Sequence, residues 1–349
     1  MKRTFRISLV LLLCAALGGA WFAWQQLTWA SEPFRGFSGS EQFVEIPAGT
    51  GPQAIGRLLV DAGVVHDALS WRIALARTDD ATRLRAGEYR FIEPATPAQV
   101  IARLVGGDVY LRTITFREGL TIRQMAELYE RAGLGEALAF IEAAGQGDLV
   151  RGLDPAAATL EGYLFPDTYA LPRRASADDL VRMMVARFER AWTDQLSREA
   201  ERSGFSVREV VTLASIIEKE TGRADERPLV AAVYRNRLER RMGLQCDPTV
   251  IYALESRGRF DGNLRRADLA VDSPYNTYKH AGLPPGPIAA PGKASLEAAL
   301  RPASVDYLYF VSRNDGSHAF ASTLDAHNRN VQKYQIAYFR QRKAAGTRD

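Results

Sequence analysis

The chain has 349 residues, of which 46% are hydrophobic and 25% are charged, and its two cysteines exclude a disulfide-rich scaffold. A globular chain of this length buries one large core or about two ordinary ones. The mean hydropathy of −0.19 excludes a protein made mostly of membrane spans. A net charge of +4, from 45 Lys and Arg against 41 Asp and Glu, would by itself allow an anionic partner such as nucleic acid.

The N-terminal segment predicts a membrane anchor. Basic residues come first, and an apolar run over residues 7–24 follows, which is just long enough to cross a bilayer. The basic flank places the N-terminus in the cytoplasm. A cleaved signal peptide is the alternative, but the residues after the run are bulky rather than small. We therefore expect a cytoplasmic tail over 1–6, a transmembrane helix over 7–29 and a linker over 30–42.

The basic flank also accounts for most of the net charge. Without Lys2, Arg3 and Arg6, 42 basic residues face 41 acidic ones, so the part outside the cytoplasm is almost neutral. Nucleic-acid binding thereby loses its electrostatic support, and no nucleic-acid partner is expected. Cys246 is the one cysteine of this part, so an intrachain disulfide is not available to it.

Residues 43–158 predict a small α/β region. A strand over 43–46 leads through a turn at Gly49 to an amphipathic helix, and residues 85–91 predict a second strand. Strand, helix, helix and strand in this order resemble a LysM module, a small fold that binds GlcNAc-containing glycans. A similar strand–turn–helix pattern recurs 70 residues later around Gly119. An internal duplication and the recurrence of a common motif both remain open.

Residues 159–349 predict a larger, mainly helical domain. Long helical patterns cover 178–202, Val207–Glu220 and 227–241. A stretch rich in Gly, Pro, Asn and Tyr follows, and then come two short strands and a closing helix over 324–342. The predicted fold class is α+β: an N-terminal transmembrane helix, a small LysM-like α/β subdomain and a larger helical catalytic domain with a small β element.

The end of the second of these helices carries the strongest candidate for chemistry. At helical spacing Val207, Val211, Ala214 and Glu218 share one face, and the first three are apolar. A carboxyl at the end of a buried stripe has a poorly solvated charged form, which favours the protonated state that a general acid needs. Glu220 points roughly the opposite way and is expected to be solvated. The alternative is that Glu218 is a helix-end residue paired with an arginine.

Three other segments contain candidate binding residues. Glu161 lies among aromatic and acidic residues, which suit either sugar binding or a turn held by core aromatics. Asp247, followed by Pro248, predicts the N-cap of a short helix. Asn276 and Tyr278 lie in a proline-rich stretch of the kind that lines a cleft or simply connects elements at the surface. The histidines and cysteines lack metal-binding spacing, so no metal is expected.

Several of these segments, in this order, resemble the endolytic murein transglycosylases, the YceG-like family. The segments that carry the resemblance are residues 214–221, 234–238, 244–252, 275–278, 282–286, 307–310, 318–320 and 327–328. The resemblance extends over nearly the whole chain after the anchor, and the anchor and the LysM-like region fit it. Cys246 departs from it, because a small hydroxyl residue is expected there.

The resemblance implies a bacterial inner-membrane enzyme with a periplasmic catalytic domain. It would cleave the β-1,4 bond between MurNAc and GlcNAc inside nascent peptidoglycan strands and leave a 1,6-anhydroMurNAc end, which terminates strand elongation beside the synthases of elongation or division. Glu218 of the EKET motif would be its catalytic acid. Glu161, Gln245, Asn276 and Tyr278 would line the substrate cleft. No metal, nucleotide or redox cofactor would take part.

Two other functions remain open from the residues. A muramidase-type hydrolase would need a second carboxylate, supplied by Glu161 or Asp247. A non-enzymatic, membrane-anchored scaffold would bind glycan through the LysM-like region and would not need Glu218.

Overall fold

The computed structural model describes residues 2–78 and 80–345. It contains two compact units. The first comprises the chain up to Arg112 together with Ala170–Arg174, and the second comprises Thr113–Tyr169 and the described chain from Ala175 onward. The described residues form a mixed, mostly helical fold with three two-stranded sheets. The predicted α+β class is thereby confirmed, while the division at residues 158 and 159 stays a prediction.

The first unit opens with a long apolar helix, α1 (Lys2–Trp29), of which Leu9–Trp29 is long and apolar enough to cross a membrane. The elements that follow are β1 (Gln42–Ile46), α2 (Pro52–Asp61), α3 (Ala68–Ala76), β2 (Gly87–Phe91) and α4 (Pro97–Gly106). The last turn of α1 packs against this unit: Gln26 and Ala30 are buried, and the Trp29 ring stacks on His66 with centroids 3.6 Å apart.

The core of the first unit lies between the β1–β2 sheet and its helices. The two strands pair antiparallel, with Val44 opposite Tyr89. Trp71 of α3 is fully buried and donates its indole N–H to the Pro52 carbonyl at 2.9 Å. Gly56 of α2 allows this approach, because a Cβ there would lie 2.3 Å from the indole ring. The strand–helix–helix–strand order is present, and its assignment as a LysM-like module remains a proposal.

The remaining elements follow in chain order. They are β3 (Arg112–Thr115), α5 (Ile122–Arg131), α6 (Ala137–Ala144), β4 (Thr168–Leu171), α7 (Ala177–Ala191), α8 (Asp194–Ser203), α9 (Val207–Glu220), α10 (Arg227–Glu239), α11 (Asp247–Glu255), α12 (Lys293–Leu300), β5 (Tyr309–Ser312), β6 (His318–Ala321), α13 (Leu324–Val331) and α14 (Tyr338–Ala345). Short 3-10 turns lie at Gly147–Val150 and Asp268–Ala270, and a π-helical segment at Gln332–Ala337 joins α13 to α14.

Two predicted helices differ from the structure. The pattern over 178–202 is wrong as a single helix, because α7 ends at Ala191 and α8 begins at Asp194. The break has a local cause: Thr193 is extended, and its hydroxyl accepts a hydrogen bond from the Leu196 N–H as the N-cap of α8. The predicted closing helix is likewise interrupted by the π-helical segment.

Helix α9 is the central helix of the second unit. Ser206 and Glu209 form a capping box at its start, which satisfies two N–H groups of the first turn. From Val210 to Ile217 every residue is buried, so the helix is covered on all sides. Ser215 is used structurally, since its hydroxyl accepts a hydrogen bond from the Ile288 N–H at 3.0 Å. This burial fixes the position of the carboxyls that end the helix.

Candidate active site

A cavity of about 350 Å³ lies at the C-terminal end of α9 within the second unit. Its polar lining comprises Glu220, Tyr234, Arg237, Gln245, Asp247, Tyr278 and His327. We call it the α9 cavity. Aromatic, amide and carboxyl groups therefore meet at one concave surface, and this composition suits a sugar better than a phosphate backbone.

Glu220 is the carboxyl of α9 that faces this cavity. Its Oε1 accepts hydrogen bonds from the Tyr234 hydroxyl at 2.6 Å and from the Cys246 thiol at 3.1 Å. Burial raises the pKa of the Glu220 carboxyl, and Asp247 adds to the rise, while the two donors oppose it. The expectation that Glu220 is solvated is wrong, because α10 and the start of α11 pack over it. A half-buried acid with a raised pKa in a cavity can serve as a proton donor.

Glu218 has different surroundings. Its Oε1 lies 3.3 Å from the Arg227 guanidinium, and its Oε2 accepts the Gly292 N–H at 3.0 Å. Glu118 lies on the other side of the same arginine, at 3.6 Å. Burial and repulsion from Glu218 raise the pKa of Glu118, and Arg227 opposes the rise. Both oxygens of Glu218 are therefore engaged, and Glu218 is not among the lining residues of the α9 cavity.

Asp247 and Tyr278 form a pair on the cavity wall. The Tyr278 hydroxyl donates to Oδ1 of Asp247 at 2.6 Å. Asp247 is the first residue of α11, and Cys246 is its N-cap, so the prediction of Asp247 as N-cap is wrong by one position. The carboxyl of Asp247 therefore accepts the Tyr278 hydroxyl on the cavity wall and does not cap the first turn of its own helix.

Gln245 lines the cavity, whereas Asn276 lies behind the cavity wall. Gln245 lines the cavity and has a φ of 51°, a left-handed conformation that is strained for a residue with a side chain. Asn276 is fully buried: its amide donates to the carbonyls of Leu269 and Val271, and its Oδ1 accepts the Tyr278 N–H at 3.0 Å. Asn276 thus holds the loop that presents Tyr278 and does not line the cavity.

Arg237 joins three parts of the cavity wall. Its guanidinium donates to the carbonyls of Leu308, Gly243 and Leu244 at 2.7, 3.2 and 2.9 Å. These bonds connect α10 to the approach of β5 and to the segment before α11. No carboxylate of the described residues lies within ion-pair distance of Arg237, so the cavity has a buried positive charge beside its two acids.

Glu161 lies in a second cavity of the same unit, about 290 Å³ in volume. Both of its oxygens face the Ile122 N–H, at 3.2 and 3.3 Å, and the Tyr252 hydroxyl donates to Oε2 at 3.3 Å. Burial raises the pKa of Glu161 to about 8, which these donors partly oppose. The structure thus brings Gln245 and Tyr278 together around Glu220 and leaves Glu161 elsewhere.

Sequence patterns could not single out Glu220. The helical-face argument selected Glu218 because apolar residues precede it at helical spacing. Glu220 is also preceded at helical spacing by apolar residues, Leu213, Ile216 and Ile217. A helix that is apolar on all sides has no single face, so periodicity cannot rank the two carboxyls. Tyr234, Arg237 and His327 lay inside the motifs of the resemblance but had no individual signal.

No group of three or more His, Cys, Asp or Glu side chains within residues 2–78 and 80–345 is arranged to hold a metal ion. The polar groups of the α9 cavity are two carboxyls, an amide, two phenols, an imidazole and a guanidinium. Such a set can donate and accept protons and hydrogen-bond a saccharide.

Comparison with known proteins gives a consistent match. The YceG-like family model matches residues 44–333. A protein of Bacillus subtilis (strain 168) named endolytic murein transglycosylase is 31% identical over 334 residues, which cover 91% of each chain. A protein of the same name from Streptococcus pneumoniae D39 is 30% identical over 364 residues, which cover 95% of this chain and 65% of that relative.

A solved structure agrees with the sequence matches. The crystal structure of a yceG-like protein from Listeria monocytogenes aligns with a TM-score of 0.57 at 33% sequence identity. The alignment covers 84% of this chain and 99% of that one.

Proposed function

The chain belongs to the YceG-like family, and from this premise we propose that it is an endolytic lytic transglycosylase of peptidoglycan. Its reaction is cleavage of the β-1,4 bond between MurNAc and GlcNAc within a glycan strand, with a 1,6-anhydroMurNAc end as product. The α9 cavity is the observation that supports this reaction best, since it combines a half-buried acid with amide, phenol and imidazole groups at one concave surface.

We assign the general acid to Glu220. It lines the cavity, burial raises its pKa, and one of its oxygens is held while the carboxyl faces the open volume. Glu218 remains the competing assignment from the motif. Its two oxygens are already engaged, one by the Arg227 guanidinium and the other by the Gly292 N–H. The surroundings therefore favour Glu220.

One carboxyl is sufficient for the chemistry. Glu220 donates its proton to the glycosidic oxygen while the bond to C1 of MurNAc breaks and an oxocarbenium-like state develops. The C6 hydroxyl of the same sugar then attacks C1, and the Glu220 carboxylate takes its proton. The anhydro ring closes without consuming water. Because the attacking hydroxyl belongs to the substrate, its effective concentration exceeds that of external water.

A muramidase-type hydrolase is the second candidate function, because Asp247 lines the same cavity as Glu220. There Asp247 would activate water or form a covalent intermediate. Glu161 lines a different cavity, which argues against it as the second carboxylate. The products distinguish the two reactions: a hydrolytic end is heavier by one water than an anhydro end.

The test uses the purified full-length chain in detergent with peptidoglycan strands and mass spectrometry of the products. Glu220→Gln keeps the shape of the side chain but cannot donate a proton, so we expect activity to fall by about 10²–10⁴-fold. Glu218→Gln should retain most of the activity. Wild-type products should end in anhydroMurNAc.

Thermal unfolding of both variants checks that each is folded. If Glu218→Gln is folded but inactive while Glu220→Gln is active, the general acid is Glu218 and not Glu220. Reducing-end products from the wild type would replace the transglycosylase with the hydrolase. Full cleavage activity in both variants would exclude both glutamates as the acid. Absence of cleavage by the folded wild type would support a scaffold without catalysis.

The first unit is proposed to hold the glycan as a LysM-like module. Its cavity of about 830 Å³ lies where the turn before α2 meets the segment after α3. Gln53, Arg57, Arg72 and Thr78 give this cavity polar groups of the kind that bind sugar hydroxyls. Arg72→Ala should weaken binding to insoluble peptidoglycan in a pull-down and leave the pH dependence of cleavage unchanged.

Membrane topology and partners complete the proposal. Lys2, Arg3 and Arg6 favour a cytoplasmic N-terminus and a periplasmic location for both units. Because nascent strands are its proposed substrate, we propose that the protein acts beside the synthases of elongation or division. Fusion of a reporter active only in the cytoplasm to the C-terminus should give no signal if the topology is correct.

A further inference from the structure

We infer that Tyr234 and Cys246 are positioning residues, which together hold one oxygen of the Glu220 carboxyl so that the proton is carried on the other oxygen. The inference rests on the proposed function, since it concerns how the proposed acid is oriented. Cys246 is of particular interest because it stands where a small hydroxyl residue is expected from the family pattern.

Both donors meet the same atom. The Tyr234 hydroxyl lies 2.6 Å and the Cys246 thiol 3.1 Å from Oε1 of Glu220. No hydrogen bond from the described residues reaches Oε2. In a protonated carboxyl that accepts two bonds at Oε1, Oε1 is the carbonyl oxygen and the proton must be on Oε2. The arrangement thus selects one of two protonated forms, the form with the free hydroxyl.

Tyr234 is fixed from the side of α10. Its ring is buried and makes an edge contact with Phe310, with centroids 6.0 Å apart. Burial raises the pKa of the Tyr234 hydroxyl well above its usual range. The group is therefore a neutral phenol at physiological pH and keeps the proton that it donates to Glu220.

Cys246 is fixed from the side of α11. Its N–H donates to the Thr277 hydroxyl at 2.9 Å, and its carbonyl accepts from the Thr249 hydroxyl at 2.7 Å. The left-handed conformation of Gln245 turns the chain immediately before it. Burial raises the pKa of the Cys246 thiol well above its usual range, so the sulfur keeps its proton and is a donor, not a nucleophile.

Other charged and titratable groups face Glu220 from every neighbouring element. They are Asp247 of α11, Arg237 of α10, His318 of β6, His327 of α13 and Tyr278 of the loop before α12. Asp247 raises the pKa of Glu220 and His318 lowers it. None of these groups donates to Oε1, so they do not replace the two positioning bonds.

The sign of the expected effect follows from these bonds. Hydrogen bonds to a carboxyl stabilise its charged form more than its neutral form, so losing one raises the pKa of Glu220. Activity that needs the protonated acid then persists to higher pH. The orientation of the proton is lost at the same time, and this lowers kcat with little change in KM, because the substrate is bound by other groups.

The test measures kcat and KM against pH for the full-length chain and for Tyr234→Phe, Cys246→Ala and Cys246→Ser. We expect the alkaline limb to move up by about half to one pH unit in Tyr234→Phe and Cys246→Ala, with kcat down about tenfold at the optimum. Cys246→Ser should restore kcat, because a hydroxyl donates in place of the thiol. The double variant of Tyr234→Phe and Cys246→Ala should lose more of its kcat than either single variant.

Tyr163→Phe is the matched control, because it also removes a hydroxyl that donates to a carboxylate, Asp154 at 2.6 Å, away from the cavity. It should leave the pH profile unchanged. Wild-type-like profiles and kcat in Tyr234→Phe, Cys246→Ala and their double variant would overturn the inference while the activity stands. Absence of cleavage by the wild type would instead refute the proposed function.

Discussion

At the scale of single residues, two glutamates separated by one position have opposite environments. Glu218 is paired with Arg227 and accepts the Gly292 N–H, so both of its oxygens are engaged. Among the described residues, the hydrogen-bond donors to Glu220 are the neutral groups of Tyr234 and Cys246. The difference arises because successive helical residues are rotated by about 100°, so two positions along the helix face almost opposite sides.

The buried carboxyl of Glu161 gives a testable prediction about how stability depends on pH. Burial raises its pKa to about 8, so the folded state keeps the proton while the unfolded chain loses it near pH 4.5. The stabilising protonation is complete below about pH 4.5 and is lost as pH rises toward 8. Urea unfolding of the wild type should therefore show a steeper loss of free energy between pH 5 and 8 than Glu161→Gln, by a few kcal/mol at about 1.4 kcal/mol per pKa unit.

The control for this comparison is Glu142→Gln, which removes an exposed carboxyl of α6. Its pH dependence should follow that of the wild type. Parallel curves for the wild type and Glu161→Gln would show that Glu161 ionises alike in the folded and unfolded states.

At the scale of elements, α9 is positioned by very close packing. Gly162 has a φ of 84°, and a Cβ at this position would lie 2.4 Å from Pro287 and 3.0 Å from Val211 of α9. The segment after residue 159 and the proline-rich segment around Pro287 therefore both press on the helix. This packing places the end of α9, and with it Glu220, at a defined point of the cavity.

Gly162→Ala should consequently be severely destabilising. The left-handed backbone costs about 1–2 kcal/mol for alanine, and the overlap with Pro287 adds about 1–3 kcal/mol. Gly258→Ala is the matched control, because Gly258 also has a positive φ, 65°, but has nothing within 4 Å of the added Cβ. Equal changes in unfolding free energy for the two variants would contradict the packing argument.

At the scale of the whole molecule, charge and hydropathy are divided along the chain. Most of the net charge lies in residues 2–6, before the apolar run of α1, and the remainder of the chain is almost neutral. The C-terminal end of the apolar helix packs against the first unit. Gln26 and Ala30, which directly follows the helix, are buried, and the Trp29 ring stacks on His66. The last turn of α1 is thus part of the candidate anchor and also packs against the first unit.

Two truncations test this double role. A chain that lacks residues 2–24 should become soluble without detergent and unfold at the wild-type temperature, because the buried last turn remains. A chain that lacks residues 2–31 should also be soluble but unfold several degrees lower, since it loses the contacts of Trp29 and Ala30. Equal unfolding temperatures would show that the last turn contributes no stability.

Much of the fold was predictable because it depends on local patterns. The apolar run near the N-terminus predicted α1, and helical periodicity predicted α9 and α10. Boundaries failed where a local cap overrode periodicity, as at Thr193. Motifs in a shared order predicted the family, which the comparisons confirm.

The sequence by itself therefore determined the candidate anchor, the α+β class, the near-neutral charge of the part after the anchor and the family. Only the tertiary structure decided which carboxyl of the EKET motif faces a cavity, that Asn276 holds a loop, and that Glu161 lies apart. The physical reason is that α9 is apolar on every side, so its sequence pattern does not indicate which face carries the carboxyl of the cavity. The packing of α10 and of the start of α11 over Glu220 selects that face, and these elements supply the Tyr234 and Cys246 donors.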